Sequence, residues 1–234
     1  MDTVKTIAVI GAGQMGRGIA QVAAQSDIEV KLTDVDLTAA VRGKEAIAKG
    51  LNRLIAKEKI TEAVRDGILE KISPTDGIPS LGGVEFVVEA ATENEELKRK
   101  IFMQLDEAVG PDAILASNTS SISITRIASA VSNPERVIGM HFMNPVPVMK
   151  LVEVIRGVAT AEDVYQKTLA LSAELNKVTV TSKDYAGFIV NRILMPMLNE
   201  AAFALMEGVA TAEDIDTAMK LGTNQPMGPL TLAD

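Results

Sequence analysis

Residues 5–34 read KTIAVIGAGQMGRGIAQVAAQSDIEVKLTD, and this stretch decides the fold class. An apolar run from Ile7 to Ile10 meets a glycine-rich turn, a helix-like segment follows, and a second apolar run ends at Asp34. This is the order of strand, turn, helix, strand and acid in a dinucleotide-binding βαβ unit. The stretch therefore predicts an α/β fold with a doubly wound, Rossmann-type sheet that binds a dinucleotide.

Each residue of the turn has a separate predicted role in cofactor binding. Gly11 permits the tight turn, Gly13 lets the backbone approach a pyrophosphate, and Gly16 allows the helix to pack closely on the strand. Gln14 and Met15 complete the turn at the helix N-terminus, where free N–H groups and the positive end of the helix dipole attract phosphates. We therefore predict that these five residues bind the cofactor.

Asp34 lies where a carboxylate can accept hydrogen bonds from the adenosine ribose hydroxyls. No Arg or Lys follows it through Ala40, so the sequence favours NAD over NADP. A glycine-rich turn alone is a weak signal, because such turns are common. The flanking strands and the acid make the prediction specific.

Composition excludes several classes of function. The chain has 234 residues, 47% of them hydrophobic, which is enough for one large domain or one and a half. Its formal charge of −8, without clusters of basic and aromatic residues, argues against a nucleic-acid partner. With no cysteine, disulfides and thiolate metal sites are excluded, and we predict no metal. No apolar run is long enough to span a membrane, and the first strand leaves no room for a signal peptide, so a cytoplasmic location is predicted.

Residues 36–71 are rich in helix-forming residues, with Asp36 and Thr61 as candidate N-caps. The segment is long for a simple crossover and predicts two helices, a hairpin that projects from the sheet. It carries Arg53 and Lys57, and from the residues alone their charges are explained by a solvated helix face.

Four predicted strands each end at or shortly before a residue that could bind a ligand. These are Gly11 of the glycine turn and the polar residues Glu93, Ser120 and His141. Ligands of a doubly wound sheet bind outside the carboxyl ends of its strands, so these residues indicate one shared site. Each has a simpler explanation by itself. An acid such as Glu93 complements the dipole at a helix start, and a lone histidine is more often a packed or surface residue.

Glu153 interrupts the apolar run KLVEVIR, so it must either face solvent on an edge strand or be buried with a partner. We predict that the first domain spans residues 1–183 and the second residues 184–234. The second domain begins with a long helix that is apolar almost all round, which predicts burial, and that carries Asn191 near its start. A second helix follows, capped by Thr211. Two helices cannot make a full core, so this all-α domain is expected to be truncated.

Six segments together resemble the 3-hydroxyacyl-CoA dehydrogenases, most closely the bacterial 3-hydroxybutyryl-CoA dehydrogenases of butyrate and butanol pathways. They are GAGQMGRGIA, VVEAATEN, ASNTSS, GMHFMNPVPVMKLVEV, GFIVNR and DIDTAMKLGTNQPMGPL, and they run the whole length of the chain. Two departures stand out. Ala186 occupies a position where the family often has proline, and the family's second domain normally continues for several helices beyond Asp234.

The resemblance implies a role for each matching residue in an NAD-dependent oxidation of a 3-hydroxyacyl-CoA in fatty acid and butanoate metabolism. His141 would be the general acid/base and Glu153 its orienting partner, while Ser120 and Asn191 would bind the reacting oxygen and neighbouring substrate groups. The remaining residues implied are Glu93, Lys98, Ser120 and Asn144 at the nicotinamide end, and Arg53, Lys57, Lys98 and Ser120 for CoA. The full-length protein is expected to be a homodimer.

Two other functions stay open at this point. A related β-hydroxyacid or sugar-acid dehydrogenase typically uses a lysine as acid/base, so pairing of His141 with Glu153 speaks against it. A non-catalytic dinucleotide-binding module is the alternative from a different class. Retention of every proposed catalytic group opposes this reading, whereas an incomplete second domain, which could leave the chain inactive, favours it.

Overall fold

The computed structural model describes residues 4–234. The chain divides into two compact units, one that runs to Ala186 and one that spans Gly187–Asp234. The predicted domain border after residue 183 stays a prediction, and residues 1–3, where the first domain is predicted to begin, lie outside the described residues.

One eight-stranded sheet forms the centre of the first unit. In chain order its strands are β1 (Thr6–Ile10), β2 (Glu29–Thr33), β3 (Ile72–Thr75), β4 (Phe86–Glu89), β5 (Ile114–Ser117), β6 (Val137–Phe142), β7 (Leu151–Arg156) and β8 (Val178–Lys183). Their spatial order is β3-β2-β1-β4-β5-β6-β7-β8. Neighbouring strands run parallel except β6 and β7, which are antiparallel. The predicted Rossmann-type sheet is confirmed.

The helices of the first unit are α1 (Gln14–Gln25), α2 (Leu37–Ile55), α3 (Glu62–Glu70), α4 (Glu95–Ala108), α5 (Ile124–Ala128) and α6 (Glu162–Glu174). Helices α2 and α3 are the predicted helical hairpin, and both predicted caps are confirmed. The Asp36 carboxylate accepts from the Ala39 N–H at 2.6 Å, and the Thr61 hydroxyl accepts from the Val64 N–H at 3.3 Å. Local cap chemistry therefore sets where each helix of the hairpin begins.

The four central strands have almost continuous apolar sequences because both of their faces are covered. Ile7, Val9 and Phe86 are fully buried, and α1 packs Ile19 and Ala23 into the same core. This packing holds the carboxyl ends of β1, β4, β5 and β6 side by side, so the loops that follow these strands share one edge of the sheet.

Helix α5 is shorter than the predicted helix over residues 122–131. Its start is set by Asp184, just after β8, whose carboxylate accepts from the Ser123 hydroxyl at 2.7 Å and from the N–H groups of Ile124 and Thr125 at 2.9 and 2.8 Å. The side chain of Ser123 also caps the helix by accepting from the Arg126 N–H. A carboxylate 60 residues away in the chain from Ile124 thus decides where this helix begins.

The second unit consists of α7 (Val190–Met206), α8 (Ala212–Thr223) and α9 (Pro229–Ala233). Thr211 caps α8 as predicted, and α9, which the sequence did not predict, is held by Asp216 through the Leu230 N–H at 2.8 Å. The prediction that α7 is buried is wrong for Ile193, which is 65% exposed. The physical reason is that two short helices cover only part of its surface. The predicted truncation of this helical domain stays a prediction.

No helix within residues 4–234 is both long enough and apolar enough to cross a membrane.

Replacing Asp184 by asparagine is expected to lower the free energy of unfolding at neutral pH by about 1 kcal/mol, because an amide accepts weaker hydrogen bonds at a helix start. Urea unfolding measures this difference. Asp163→Asn is the matched control, since Asp163 is an exposed acid at the start of α6. Its effect should stay below about 0.5 kcal/mol.

The difference in the free energy of unfolding between the parent and Asp184→Asn should depend on pH. Burial alone would raise the pKa of Asp184, but hydrogen bonds from Thr125, Ser123 and Ile124 lower it overall. A lowered folded pKa contributes stability that is present above the unfolded value of about 4 and is lost as the pH falls through the folded value. The deficit of the variant should therefore shrink in acid. An undiminished deficit below pH ~3 would contradict this assignment.

Candidate active site

The three glycines of the turn after β1 meet different surroundings. Gly11 has a φ of +99°, and a Cβ atom there would lie 2.7 Å from the carbonyl oxygen of Ala90. A Cβ on Gly16 would lie 1.7 Å from the carbonyl oxygen of Gly11. A Cβ on Gly13 would have no atom within 4 Å. The fold itself therefore requires glycine at positions 11 and 16, whereas the surface of Gly13 is left open for a ligand.

Asp34 is held against the same turn. Its carboxylate accepts from the Ala12 N–H at 2.5 Å and from the Val35 N–H at 2.7 Å. This arrangement places an acid beside the glycine turn, at the carboxyl end of β2. Each carboxylate oxygen can accept more than one hydrogen bond, so the ribose interaction predicted for Asp34 is compatible with both contacts.

A cleft of about 920 Å³ opens where the strand order reverses between β1 and β4. Its lining includes Gly11, Gly13, Asp34, residues 90–92, and Leu97. Ligands of doubly wound sheets bind at such a switch point. The open space at Gly13 and the acid at the end of β2 fit a dinucleotide.

The Glu93 carboxylate accepts several hydrogen bonds from the loop that follows β5. One carboxylate oxygen lies 2.5 Å from the Thr119 hydroxyl, 2.9 Å from the Ser120 nitrogen and 3.1 Å from the Ser121 nitrogen, and it also lies within reach of both serine hydroxyls. Burial alone would raise the pKa of Glu93, but these hydrogen bonds and the positive charge of Lys98 lower it overall. Glu93 is therefore a carboxylate at neutral pH. Its contact with Ser120 places these two predicted site residues side by side.

The side chain of Lys98 is only 1% exposed and lies beneath Glu93. Its Nζ atom is 2.7 Å from Glu89, 3.2 Å from the carbonyl oxygen of Ala91 and 3.6 Å from Glu93. The fully buried Glu89 also accepts from the Ser117 hydroxyl at 2.6 Å. The predicted contacts of Lys98 with cofactor and CoA stay predictions.

Sequence reasoning did not single out Glu89 or Ser117 as site residues. A signal for Glu89 existed, because it ends the apolar run of β4 as a lone acid, much as Glu153 interrupts the run of β7. Nothing in the local sequence marks Ser117, whose partner lies on the neighbouring strand.

His141 and Glu153 occupy directly opposed positions on the antiparallel strands β6 and β7. Opposed residues project from the same face of a sheet, and the His141 Nδ1 atom lies 2.7 Å from the Glu153 Oε2 atom. Glu153 is fully buried and His141 is 7% exposed. Of the two alternatives for Glu153, burial with a partner is therefore the observed one. A carboxylate can only accept, so this contact puts the Nδ1 atom in the donor role.

Two further hydrogen bonds join the loops of this edge. The Asn118 side chain accepts from the Phe142 N–H at 2.9 Å and ties the Ser120 loop to the strand that carries His141. The Gln14 side chain donates to Asn144 at 2.9 Å and ties the glycine turn to the segment after β6. The first unit thus assembles its predicted site residues at one edge, with Met15 in the first turn of α1.

The other predicted residues lie elsewhere in the chain. Arg53 is exposed in the last turn of α2, and Lys57 is exposed just beyond this helix. Asn191 is the second residue of α7, in the second unit. The roles predicted for these three residues stay predictions. Within residues 4–234, no group of three histidine or acidic side chains could hold a metal ion.

A doubly wound sheet with this glycine turn, the acid at the end of β2 and a buried histidine–carboxylate pair at the same edge defines a dinucleotide-binding α/β protein. Comparison with known proteins identifies the family. The family model described as "3-hydroxyacyl-CoA dehydrogenase, NAD binding domain" matches residues 6–185, and the one described as "3-hydroxyacyl-CoA dehydrogenase, C-terminal domain" matches residues 187–234.

Similar proteins support the same family. A 3-hydroxybutyryl-CoA dehydrogenase of Bradyrhizobium diazoefficiens is 49% identical over 99% of this chain and 79% of its own length. A probable 3-hydroxybutyryl-CoA dehydrogenase of Deinococcus radiodurans is 51% identical over 97% of this chain and 81% of its own length. The crystal structure of (S)-3-hydroxybutyryl-CoA dehydrogenase from Ralstonia eutropha, 49% identical, matches with a TM-score of 0.96 over 99% of this chain and 82% of that chain. The chain belongs to the 3-hydroxyacyl-CoA dehydrogenase family, and it is an oxidoreductase that uses NAD.

Gly13→Ala and Gly16→Ala should separate cofactor binding from packing. The backbone of Gly13 is extended and its surroundings are open, so the first variant should change the free energy of unfolding by less than about 0.5 kcal/mol. Its methyl group should nevertheless block the pyrophosphate and raise the Kd for NADH at least about tenfold. NADH fluorescence titration and urea unfolding measure the two effects.

The second variant should behave differently, because its methyl group must displace the backbone of Gly11. We expect Gly16→Ala to lower the free energy of unfolding by about 1–3 kcal/mol even without cofactor. Equal stability losses in the two variants would contradict the separate roles of the two glycines.

Proposed function

We propose that the protein interconverts (S)-3-hydroxybutanoyl-CoA and acetoacetyl-CoA, with His141 as the general acid/base and Glu153 as its partner. The observation that carries this proposal is the buried contact of 2.7 Å between the His141 Nδ1 atom and Glu153, at the sheet edge that also carries the glycine turn. The four-carbon substrate is supported by the names of the relatives described above.

The chemistry requires a base at the 3-hydroxyl group. Bound NAD would accept a hydride from C3, and the hydroxyl group must lose its proton at the same time. The contact with Glu153 uses the Nδ1 atom of His141, so the Nε2 atom would exchange this proton. A carboxylate at Nδ1 orients the ring and stabilises the imidazolium that forms. Such general base catalysis contributes roughly 10²–10⁴-fold to the rate.

Other residues are proposed to hold the reactants. Ser120, with Asn191 from the second unit, would bind the reacting oxygen and neighbouring substrate groups. Glu93 and Asn144 would line the nicotinamide end of NAD, with Lys98 beneath Glu93. The support within the first unit is geometric, because Glu93 holds the Ser120 loop and Gln14 ties Asn144 to the glycine turn.

Arg53 and Lys57 are proposed to meet the phosphates of CoA. The two positive charges are exposed near the end of α2, on the helical hairpin. Positive charges at this position could reach the phosphates of the CoA moiety of the substrate. From the residues alone, they could equally form a solvated helix face. If these residues bind CoA phosphates, Arg53→Gln and Lys57→Gln should each raise the KM for acetoacetyl-CoA without changing the Kd for NADH, whereas a solvated face predicts an unchanged KM.

We also propose that the protein forms a homodimer through its second unit and acts in the cytoplasm. The support for the dimer is the exposure of apolar side chains on the helical unit, where Ile193, Met206 and Leu221 are 65%, 71% and 81% exposed. Apolar surface of this kind commonly marks an interface. Analytical ultracentrifugation would measure the mass in solution.

His141→Gln tests the proposed chemistry. The protein should oxidise NADH when given acetoacetyl-CoA, and the variant should lose about 10²–10⁴-fold in kcat because glutamine cannot exchange the proton. The Kd for NADH should stay close to that of the parent, since the cofactor cleft is not changed. Absorbance at the NADH band follows turnover, and fluorescence titration follows binding.

Glu153→Gln is the companion variant and should lower kcat less than His141→Gln does, because the histidine remains. A His141→Gln protein that keeps most of its turnover would show that another group moves the proton. NADH binding by the parent without turnover would instead favour the non-catalytic module.

A further inference from the structure

The carboxylate of Glu89, at the end of β4, contacts the segments that carry three of the proposed nicotinamide-end residues, Glu93, Lys98 and Ser120. One oxygen accepts from the Ala91 N–H and from the Lys98 ammonium, each at 2.7 Å, and the other accepts from the Ser117 hydroxyl at 2.6 Å. Ala91 and Lys98 belong to the β4–α4 connection and to α4, whereas Ser117 leads into the β5–α5 connection. Glu89 itself is fully buried and therefore lies behind the surface of the site.

The first link from Glu89 to the site runs through Lys98. The Lys98 side chain is 1% exposed, and its Nζ atom lies 2.7 Å from the Glu89 carboxylate and 3.6 Å from the Glu93 carboxylate. A buried ammonium group must be held by paired charges and acceptors, because its desolvation is otherwise too costly. The position of Glu89 thus determines where the positive charge beside Glu93 lies.

The second link runs through the loop after β5. The Ser117 hydroxyl, which donates to Glu89, accepts from the Thr119 N–H at 3.3 Å, and the Thr119 hydroxyl lies 2.5 Å from Glu93. The Asn118 N–H donates to the backbone carbonyl of Glu89 at 2.7 Å. The two links therefore start at one buried carboxylate and end at the same exposed one, Glu93.

We propose that Glu89 is a positioning residue that sets the place of the Glu93 carboxylate and thereby the affinity of the site for NAD, without touching the cofactor. This inference rests on the proposed role of Glu93 at the nicotinamide end. A purely structural role, in which Glu89 only neutralises Lys98 inside the fold, is the alternative that the experiment must separate.

Glu89→Gln keeps the shape of the side chain and its ability to accept from Ser117, but it removes the charge that holds Lys98. We expect the Kd for NADH to rise about tenfold, the effect of one lost hydrogen bond to a charged group. The KM for NADH should rise with it, a change that neutralisation of Lys98 inside the fold would not produce by itself.

A double-mutant cycle with Glu93→Gln tests whether Glu89 acts through Glu93. In a Glu93→Gln background, Glu89→Gln should leave the Kd for NADH unchanged, because the group that it positions is already lost. A structural role would instead predict that the effects of the two substitutions multiply.

Asp106→Asn is the matched control for stability. Asp106 and the buried Arg136 form an ion pair at 2.6 Å, and Arg136 also donates to Gly110 before β5, at the sheet edge opposite the site. This variant should lower the unfolding temperature and leave the Kd for NADH at the parent value. If Glu89→Gln does not fold, Glu89→Gln/Lys98→Met removes both buried charges and should regain stability. Its Kd for NADH should be raised in the parent background and unchanged in a Glu93→Gln background, whereas a direct contribution of Lys98 to NADH binding would persist in both.

The outcomes separate the inference from the proposed function. If Glu93→Gln weakens NADH binding and Glu89→Gln does not, or if their effects multiply, the inference is wrong and the role of Glu93 stands. If Glu93→Gln binds NADH like the parent, the proposed role of Glu93 is wrong and the inference is overturned with it. If Glu89→Gln weakens NADH binding in the parent background but not in the Glu93→Gln background, the inference is supported.

Discussion

The close approach of two backbones at the centre of the sheet is the constraint on which the site depends. The turn after β1 passes so near the end of β4 that a Cβ atom on Gly11 would lie 2.7 Å from the Ala90 carbonyl oxygen. The same turn leaves no room for a side chain at position 16. Because strand order reverses between β1 and β4, this contact also forms the floor of the cofactor cleft. A change that separates the two backbones would alter the fold and the cofactor site together.

Around this floor, the buried polar groups of the site are held by partners from other strands and from helix α4. Glu89 is paired with Lys98, and His141 is paired with Glu153. A buried charge without a partner costs several kcal/mol, so each pair restricts its members to one arrangement. The groups at the surface of the site are therefore supported by a layer of side chains with fixed positions.

Much of this architecture could be predicted from the sequence, because its signals are local. The glycines, the acid at the end of β2 and the caps Asp36 and Thr61 act on residues within a few positions or one βαβ unit, and the structure contains each of these features. Predictions that required distant partners were less complete. The start of α5 depends on Asp184, and the exposure of α7 depends on how much surface its neighbours cover. Neither is encoded within the segment itself.

His141 and Glu153 illustrate where sequence and tertiary structure divide. The sequence by itself determined that the chain has one imidazole, that an acid interrupts an apolar strand, and that a dinucleotide-binding sheet precedes both. It left open whether that acid faces solvent or is buried. Only the antiparallel register of β6 and β7 decided the question. It places the two residues opposite each other, with the His141 Nδ1 atom 2.7 Å from the Glu153 Oε2 atom. The same holds for Glu89, whose partners Lys98 and Ser117 come from a helix and a neighbouring strand. Periodicity and residue type are local properties of a chain, whereas the pairing of buried polar side chains is fixed only when strands and helices pack.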